Sequence, residues 1–524
     1  MRRLWKRAFR GSRGGALLFT AAYSVLSLAW IVSNPVFAAP DEWSHVVRAE
    51  SIAYGQLIGA PAPAPVLGPA PAGVPASAHE SEERWAEQNT RRVSIPAGKT
   101  PQWFSCSADA NTPALCLTGP PRSAPAAKYE IPTGNYEPFP YLLPALVARV
   151  PAAPNTIALG MRAVKAPLVL TLLLVAFLVL WEPGARSLPA LGLVVAITPM
   201  VVFLGSTVNP SGLEIAAAIA FFACLLRVRR KEPPGRALWV ALGASGGVLA
   251  LSRGQAPAWI VLDLALFLAL AGVRPGLALL RRGGRDAAGA GAAVLLAIAA
   301  NRVWEGLYGP HLPVGITPVG PAVTAGWLEL PEVLREQVGV FDYLEFGMSP
   351  MAYIAWYSLI AALVALALLV ASRRERVVLC GAVALVGVLP VALVAAVMRH
   401  TGYGLQGRYV LAFSVVVPLL AGEIVFRRRA LFVELGAGAL VVPFAAIAAV
   451  VQLDGLYANA RRFAVGVNGP LWFVGHAAWS PPGGWWLWLT VMVAGAALLA
   501  LAAPLESWLE SRRSRQMARQ RQPT

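Results

Sequence analysis

Residues 16–48 read ALLFTAAYSVLSLAWIVSNPVFAAPDEWSHVVR. The apolar run 16–34 is long enough to cross a bilayer, which takes about 20 such residues. A basic stretch, 1–15, precedes it, and no A-x-A-like cleavage site sits cleanly at its end. It therefore reads as a retained anchor rather than a removed signal peptide. A polar cluster follows at once. Pro40 ends an extended piece, and Asp41 suits the N-cap of an interfacial helix over Asp41–Gln56. On that helix Asp41, His45 and Arg48 share one face at i, i+4 and i+7. Two readings stay open for this cluster. One is a general base, Asp41 or Glu42, with partners that bind an anion or a metal. The other is a helix cap with a surface ion pair.

The rest of the chain repeats the apolar theme. Of 524 residues 57% are hydrophobic and only 14% charged, against about 25% charged in an average soluble protein. That excludes a soluble globular enzyme and a disordered chain. Apolar runs recur at about 160–181, 188–206, 212–227, 237–252, 256–272, 287–304, 350–371, 377–398, 409–426, 430–451 and 485–503. With 16–34 they make twelve expected spans in an all-α polytopic membrane protein. The segment Pro138–Val150 is apolar but too short to span, and rich in proline.

Charge orients the spans. The 44 Lys and Arg outnumber the 27 Asp and Glu, giving +17. In a soluble protein this balance would suggest nucleic acid, but no nucleic-acid motif occurs. With twelve spans, both termini are cytoplasmic, and 27 of the 44 basic residues fall in cytoplasmic segments, as the positive-inside rule requires. A thirteenth span at Pro138–Val150 would turn Arg227, Arg229, Arg230 and Arg427–Arg429 outward. That segment therefore reads as a helix at the outer interface or dipping partway. The expected organisation is a cytoplasmic N-terminus at 1–15, a first span at 16–34 and a large extracytoplasmic loop at 35–159. Spans two to seven occupy 160–304, a second outer loop 305–349 and spans eight to eleven 350–451. A third outer loop at 452–484, the last span at 485–503 and a basic cytoplasmic tail at 504–524 complete it. Ala60–Ala78 is rich in Pro and Ala and reads as a flexible excursion. Cys106 and Cys116 share the first loop and pair as a disulfide if it is extracytoplasmic. No paired broken-helix pattern of the inverted-repeat transporter kind is evident.

Other polar groups collect at the outer ends of spans. Asn135-Tyr136-Glu137-Pro138-Phe139-Pro140-Tyr141 reads as substrate-binding or as an aromatic belt anchor. Gln406-Gly407-Arg408-Tyr409 follows Arg399 and His400. There Arg408 either binds a phosphate or carboxylate or snorkels to headgroups. Asn209 and Ser211 lie at one break between spans, and Arg253 at another, nearly inside apolar sequence, where an unpaired charge is costly. Glu214 and Asp263 share that expectation. Arg162 and Lys165 read as snorkelling residues. Asp41, Glu42 and His45 could together offer ligands to a divalent metal, though hard cations favour more oxygen ligands. A Walker A loop, an H-E-x-x-H and a nucleophile elbow are missing from the sequence.

NPVFAAPDEWSHVVRAESIAYGQLIG (34–59), TPMVVFLGSTVNPSG (198–212) and LQGRYVLAFSVVVPLL (405–420) resemble, in order, blocks of a bacterial family of predicted membrane proteins, domain-of-unknown-function family 2142. That family looks like part of the GT-C glycosyltransferase group. The resemblance implies a polytopic enzyme with a large first extracytoplasmic loop. Asp41 or Glu42 would be the catalytic acid, and the donor a polyprenyl-phosphate-linked sugar. NYEPFPYLLPAL (135–146) is similar to the H-P-P-L-Y-Y-type block of those enzymes but departs at Asn135-Tyr136-Glu137, and Ser211 stands where many relatives carry an acid. The expectation is an inverting transfer to a glycan acceptor outside the cytoplasmic membrane. Asp41 or Glu42 would be the base, and Arg408, with Arg253 or Arg399, would hold the phosphate. His45, Arg48, Asn135, Tyr136, Glu137, Tyr141, Asn209, Gln406 and Tyr409 complete the expected binding set. A polyprenyl-diphosphate-linked polymerase or ligase, and a lipid-linked-sugar transporter or flippase, remain alternatives.

Overall fold

The chain opens with α1 (Gly14–Ser33), and after a tight turn α2 (Glu42–Ala53) begins. This computed structural model describes residues 14–63, 76–96, 113–114, 127–182, 185, 187–230, 235–402, 404–432 and 440–520. Between α1 and the second span lies a small mixed unit. It holds β1 (Ala60–Pro61), α3 (Ala76–Asn89), β2 (Arg91–Ile95), β3 (Ala127–Ile131), a short 3-10 turn at Phe139–Tyr141 and α4 (Leu142–Ala148). The strands form an antiparallel sheet in the order β1-β2-β3, with Val93 opposite Tyr129. So part of the stretch expected to be a flexible excursion is ordered as β1 and α3. Cys106 and Cys116 lie outside the described residues.

The α2 helix does not lie exposed at an interface. Val46, Ala49 and Ala53 pack on Tyr141, Ala145, Ile157 and Met161. Val47, on the other side, packs on Val93, Ile95 and Ile131 of the sheet. Two apolar faces clamp the helix, so its polar residues can only point into the molecule or into the bundle. The α4 segment stays short of a span, as its length requires, and leaves Leu142, Leu143 and Leu146 exposed along one edge.

The bundle then runs through α5 (Pro154–Leu180), α6 (Leu191–Ala196), α7 (Pro199–Gly205), α8 (Pro210–Val228), α9 (Arg236–Ala250), α10 (Ala256–Ala271), α11 (Val273–Arg281) and α12 (Gly284–Tyr308). After α13 (Val319–Gly339), the pair β4 (Val340–Phe341) and β5 (Phe346–Gly347) makes a hairpin. α14 (Pro350–Val370), α15 (Arg373–Thr401), α16 (Gly407–Ser414), α17 (Val416–Arg427), α18 (Val441–Val465) and α19 (Gly484–Gln520) follow. The molecule is an all-α polytopic membrane protein with very little sheet. Among the described residues nine helices are long and apolar enough to cross a membrane, or eleven if each of two bent pairs is one span. The run expected at 237–252 becomes α9, whose 15 residues reach about 22 Å, less than a hydrocarbon core of about 30 Å. The run expected at 430–451 shifts to α18.

Two of the expected apolar runs are bent rather than straight. The run 188–206 turns by 72° between α6 and α7, and α10 turns by 109° into α11. The first break falls at Thr198-Pro199, where proline cannot continue the ladder and the Thr198 hydroxyl caps the Val201 amide. The second falls at Gly272, with φ of 91°, which glycine tolerates. Cap-then-proline starts recur at Asn209-Pro210 and Ser349-Pro350, each with the side chain accepting a backbone N–H. These junctions fix where the polar breaks sit. Both α8 and the α16–α17 pair are almost wholly buried at the centre, while α12, α14 and α15 leave most of their apolar surface exposed, as lipid-facing helices do.

Candidate functional site

The turn between α1 and α2 is tightly wound. Phe37 and Asp41 both have positive φ, 69° and 57°, a region that non-glycine residues enter only when their surroundings hold them there. Asp41 occupies the N-cap position of α2, but its side chain makes no capping bond. The expected cap is therefore corrected: the carboxylate is turned away from the helix.

What holds the turn is Glu42. Its carboxylate accepts from Arg162 Nε at 2.7 Å, from Arg162 Nη2, from the Phe37 amide at 3.0 Å and from the Val208 amide at 2.9 Å. Arg162 spends its remaining N–H groups on the carbonyls of Ile31, Asn34 and Pro35, so all five of its donors are used. Both side chains are buried. Lys165, one turn along α5, donates to the carbonyls of Leu204, Thr207 and Asn209, closing the C-terminal end of α7. Arg162 and Lys165 do not snorkel. They face inward because the carbonyls exposed by two helix ends need donors.

Asp41, one residue before Glu42, faces the other way. It pairs with Arg408 Nη2, and Arg408 Nη1 donates to the Pro40 carbonyl at 3.1 Å. Arg408 is 2% exposed, whereas the Asp41 side chain keeps 44% of its surface accessible. Asp41 therefore lines an open space while its partner forms the wall. Burial opposes its charge, yet Arg408 and Arg253 hold its carboxyl below the usual range. Asn209 ties the same turn from below, donating to the Pro40 carbonyl at 2.8 Å.

Around this pair the sequence-predicted residues fall into two groups. Tyr409, Arg253, Tyr136, Tyr141, His45 and Glu137 gather near it. Arg253 and Arg408 both stack on the Tyr409 ring, at 4.4 and 5.0 Å from its centre. Arg253 also donates to the Ser211 hydroxyl at 2.6 Å and stands 3.9 Å from Glu214. His45 Nδ1 bonds the Tyr141 hydroxyl at 2.8 Å and its ring lies beside Tyr136. Burial first, then Arg408, Arg253 and Lys165, pushes His45 down to about 3 against the pull of Asp41, so the imidazole is neutral. Glu137 accepts from Asn301 Nδ2 at 3.0 Å, and burial together with Glu305 beside it raises its pKa.

The second group is structural. Arg48 does not join Asp41. It binds the carbonyls of Gln56, Leu57 and Tyr136. Asn135 accepts from the Gly59 amide, and its carbonyl accepts from Trp304. Arg399 reaches the Thr317 carbonyl at 3.2 Å, which anchors the loop before α13 and puts no charge on Asp41. Gln406 stands at the N-cap of α16 without a capping bond.

Three residues of this region carried little sequence signal. Asn301 interrupts an apolar run, which was a usable hint. Gln255, which binds the Tyr409 carbonyl at 2.9 Å, lies in the break before α10, and Glu336, which accepts from the Gly407 amide, lies in the last turn of α13. A divalent metal does not suit this donor set. Glu42 is saturated by Arg162 and two amides, and Asp41 is paired with Arg408; no cluster of three metal-ligating side chains occurs among the described residues.

The open carboxylate and the arginine behind it are drawn from opposite ends of the chain, and so are the sequence blocks that carry them. The family described as "Predicted membrane protein (DUF2142)" matches residues 25–417, a stretch that takes in Asp41, Tyr136, Arg253 and Arg408. A comparison with curated proteins finds no match, and neither does one with solved structures. The chain belongs to the DUF2142 family of predicted membrane proteins.

Proposed function

We propose that the protein is a membrane glycosyltransferase that takes a sugar from a polyprenyl-phosphate donor and passes it, with inversion, to a glycan or other cell-envelope acceptor. The reaction runs at the outer side of the bacterial cytoplasmic membrane, with both termini cytoplasmic as the loop charges require. The observation that supports it is the Asp41–Arg408 pair: an accessible carboxylate held ionised against a buried guanidinium.

In this mechanism Asp41 takes the proton of the acceptor hydroxyl as that oxygen attacks the anomeric carbon. The bond from that carbon to the phosphate oxygen breaks, and its electron pair leaves with the polyprenyl phosphate. Arg408 and Arg253, which both stack on the Tyr409 ring, stabilise the growing phosphate charge. A phosphate that engages Arg408 loosens its grip on Asp41, and a carboxylate that loses a cation becomes a stronger base. Neutral His45, fixed by Tyr141, orients the acceptor. Glu42 sets the backbone that carries Asp41.

The test uses purified protein in nanodiscs with a panel of radiolabelled donors, polyprenyl-phosphate and polyprenyl-diphosphate sugars alike. Wild type should consume a monophosphate donor and Asp41→Asn should not. Consumption of diphosphate donors alone would favour a polymerase or ligase. Two observations favour a transporter or flippase. Asp263 on α10 is buried with neither carboxylate oxygen partnered among the described residues, and two spans are bent. Movement of an intact lipid-linked sugar across a vesicle without transfer would replace the enzyme reading with that one.

A further inference from the structure

The basic loops at the ends of the spans away from Asp41 fall into two groups, and the structure treats them differently. In one group the arginines are answered by acids. Arg229 pairs with Glu375 at 2.7 Å, Arg230 with Glu423 at 2.6 Å and Arg429 with Glu182 at 2.8 Å. The other group surrounds the bend from α10 into α11, at the end of α10 away from Arg253. Arg274, Arg281, Arg282 and Arg285 are exposed there, as are Arg373 and Arg374 at the start of α15. The Arg374 guanidinium meets the bend itself. A Cβ on Gly272 would stand 2.8 Å from its Nη1, and its Nε donates to the Ala269 carbonyl at 2.9 Å.

None of these six arginines forms an ion pair among the described residues. The acids of the same segments are engaged elsewhere: Asp286 stands 3.9 Å from Arg236, and Glu375 belongs to Arg229. Like charges gathered without counter-charges repel one another, and an anionic partner relieves that repulsion.

The form of α11 says which partner. It leaves α10 at 109°, so with α10 across the bilayer α11 lies along the surface. Its nine residues divide by face. Gly276 is buried, and a Cβ there would stand 2.9 Å from Leu268 of α10, so that face is closed. Val273 and Leu277, one turn apart, are 60% and 38% exposed. Arg274 and Arg281, two turns apart, form a cationic line beside them. An apolar line next to a cationic one, on a helix lying in the surface, suits burial of one side among acyl chains with the other held at headgroups. A nucleic acid or an acidic protein would use the arginines and leave Val273 and Leu277 without a role.

We propose that α11 and the start of α15 form a binding site for an anionic phospholipid, with Val273 and Leu277 among its acyl chains and Arg274, Arg281, Arg373 and Arg374 around its phosphate. In the orientation proposed above this is the cytoplasmic leaflet. The site is independent of any sugar transfer.

The experiment incubates purified full-length protein in detergent with equal amounts of phosphatidylglycerol and phosphatidylcholine of distinct mass, and native mass spectrometry counts the lipids that stay bound. Wild type should retain phosphatidylglycerol about fivefold better or more. Replacing Arg274→Gln, Arg281→Gln and Arg373→Gln together should bring the ratio close to parity, and Arg84→Gln on α3 should leave it unchanged. Leu277→Ser should lower retention of both lipids. Should the triple variant misfold, salt replaces it: about 1 M salt should shrink the wild-type preference by screening. Inorganic phosphate in excess should not displace the lipid, because its chains are held as well as its headgroup. Equal retention of the two lipids by wild type overturns the proposal. So does a preference that survives both the triple variant and salt, and so does displacement by inorganic phosphate. Displacement of the lipid by an RNA oligonucleotide also overturns it, in favour of a nucleic-acid surface.

Discussion

Glu42 is buried between a guanidinium and two backbone amides, while Asp41, one residue earlier, keeps an accessible carboxylate. The difference predicts opposite phenotypes. Glu42→Gln removes the countercharge of Arg162 in a buried setting and should cost about 3–5 kcal/mol, read as a loss of denaturant or thermal stability in detergent. Asp41→Asn keeps an acceptor for Arg408 and should cost about 1 kcal/mol, while abolishing donor consumption. Equal destabilisation by the two would show that Asp41 is only structural.

His45 carries a pH signature. Its pKa falls from 6.5 to about 3 on folding. Between those values the unfolded chain binds a proton that the folded one refuses, so stability is lost as pH falls below 6.5. The slope approaches about 1.4 kcal/mol per pH unit. Melting curves of wild type and His45→Gln between pH 4.5 and 7 should diverge, with the wild type losing more toward acid. Parallel curves would mean that His45 is not buried neutral.

At the scale of elements, the bent pair α6–α7 matters most for the site, because its far end supplies Thr207 and Asn209 to Lys165. The pair is held by backbone approach. A Cβ on Gly192 would stand 2.6 Å from the Pro418 carbonyl, and one on Gly422 2.6 Å from Gly192 itself. Helices that touch through glycines cannot admit a side chain without moving apart. Gly422→Leu should therefore destabilise the protein and also disturb donor binding, whereas Gly247→Leu, in open space on α9, should do neither. Donor affinity and melting temperature of both variants check this. The cap-proline starts of α7, α8 and α14 were readable in the sequence because capping is local chemistry. The bends between α6 and α7 and between α10 and α11 were not read, since an apolar run looks the same whether straight or broken.

For the whole molecule, the loop charges predict a single orientation. Cysteines placed at Glu80 and Thr324 in a cysteine-free background should react with an impermeant maleimide from outside spheroplasts. Cysteines at Arg285 and Arg374 should react only after lysis. All four positions are exposed. The reverse pattern would put Asp41 on the side that has nucleotide sugars and would remove the argument for a lipid-phosphate donor.

Hydropathy and charge run along the chain in order, so the sequence by itself determined the membrane class, the approximate helices, the long first loop and the position of the Asp41 cluster. Asp41, Arg408, Arg253 and Tyr409 were each legible as polar residues at the ends of apolar runs. Only the tertiary structure decided which of them meet. It divided the acid pair into one structural and one open carboxylate, turned Arg162 and Lys165 inward, and sent Arg48 and Arg399 to backbone carbonyls. The reason is physical. An arginine is satisfied equally by a carboxylate, a helix-end carbonyl or a headgroup, and which of these lies within 3 Å depends on how helices distant in sequence pack.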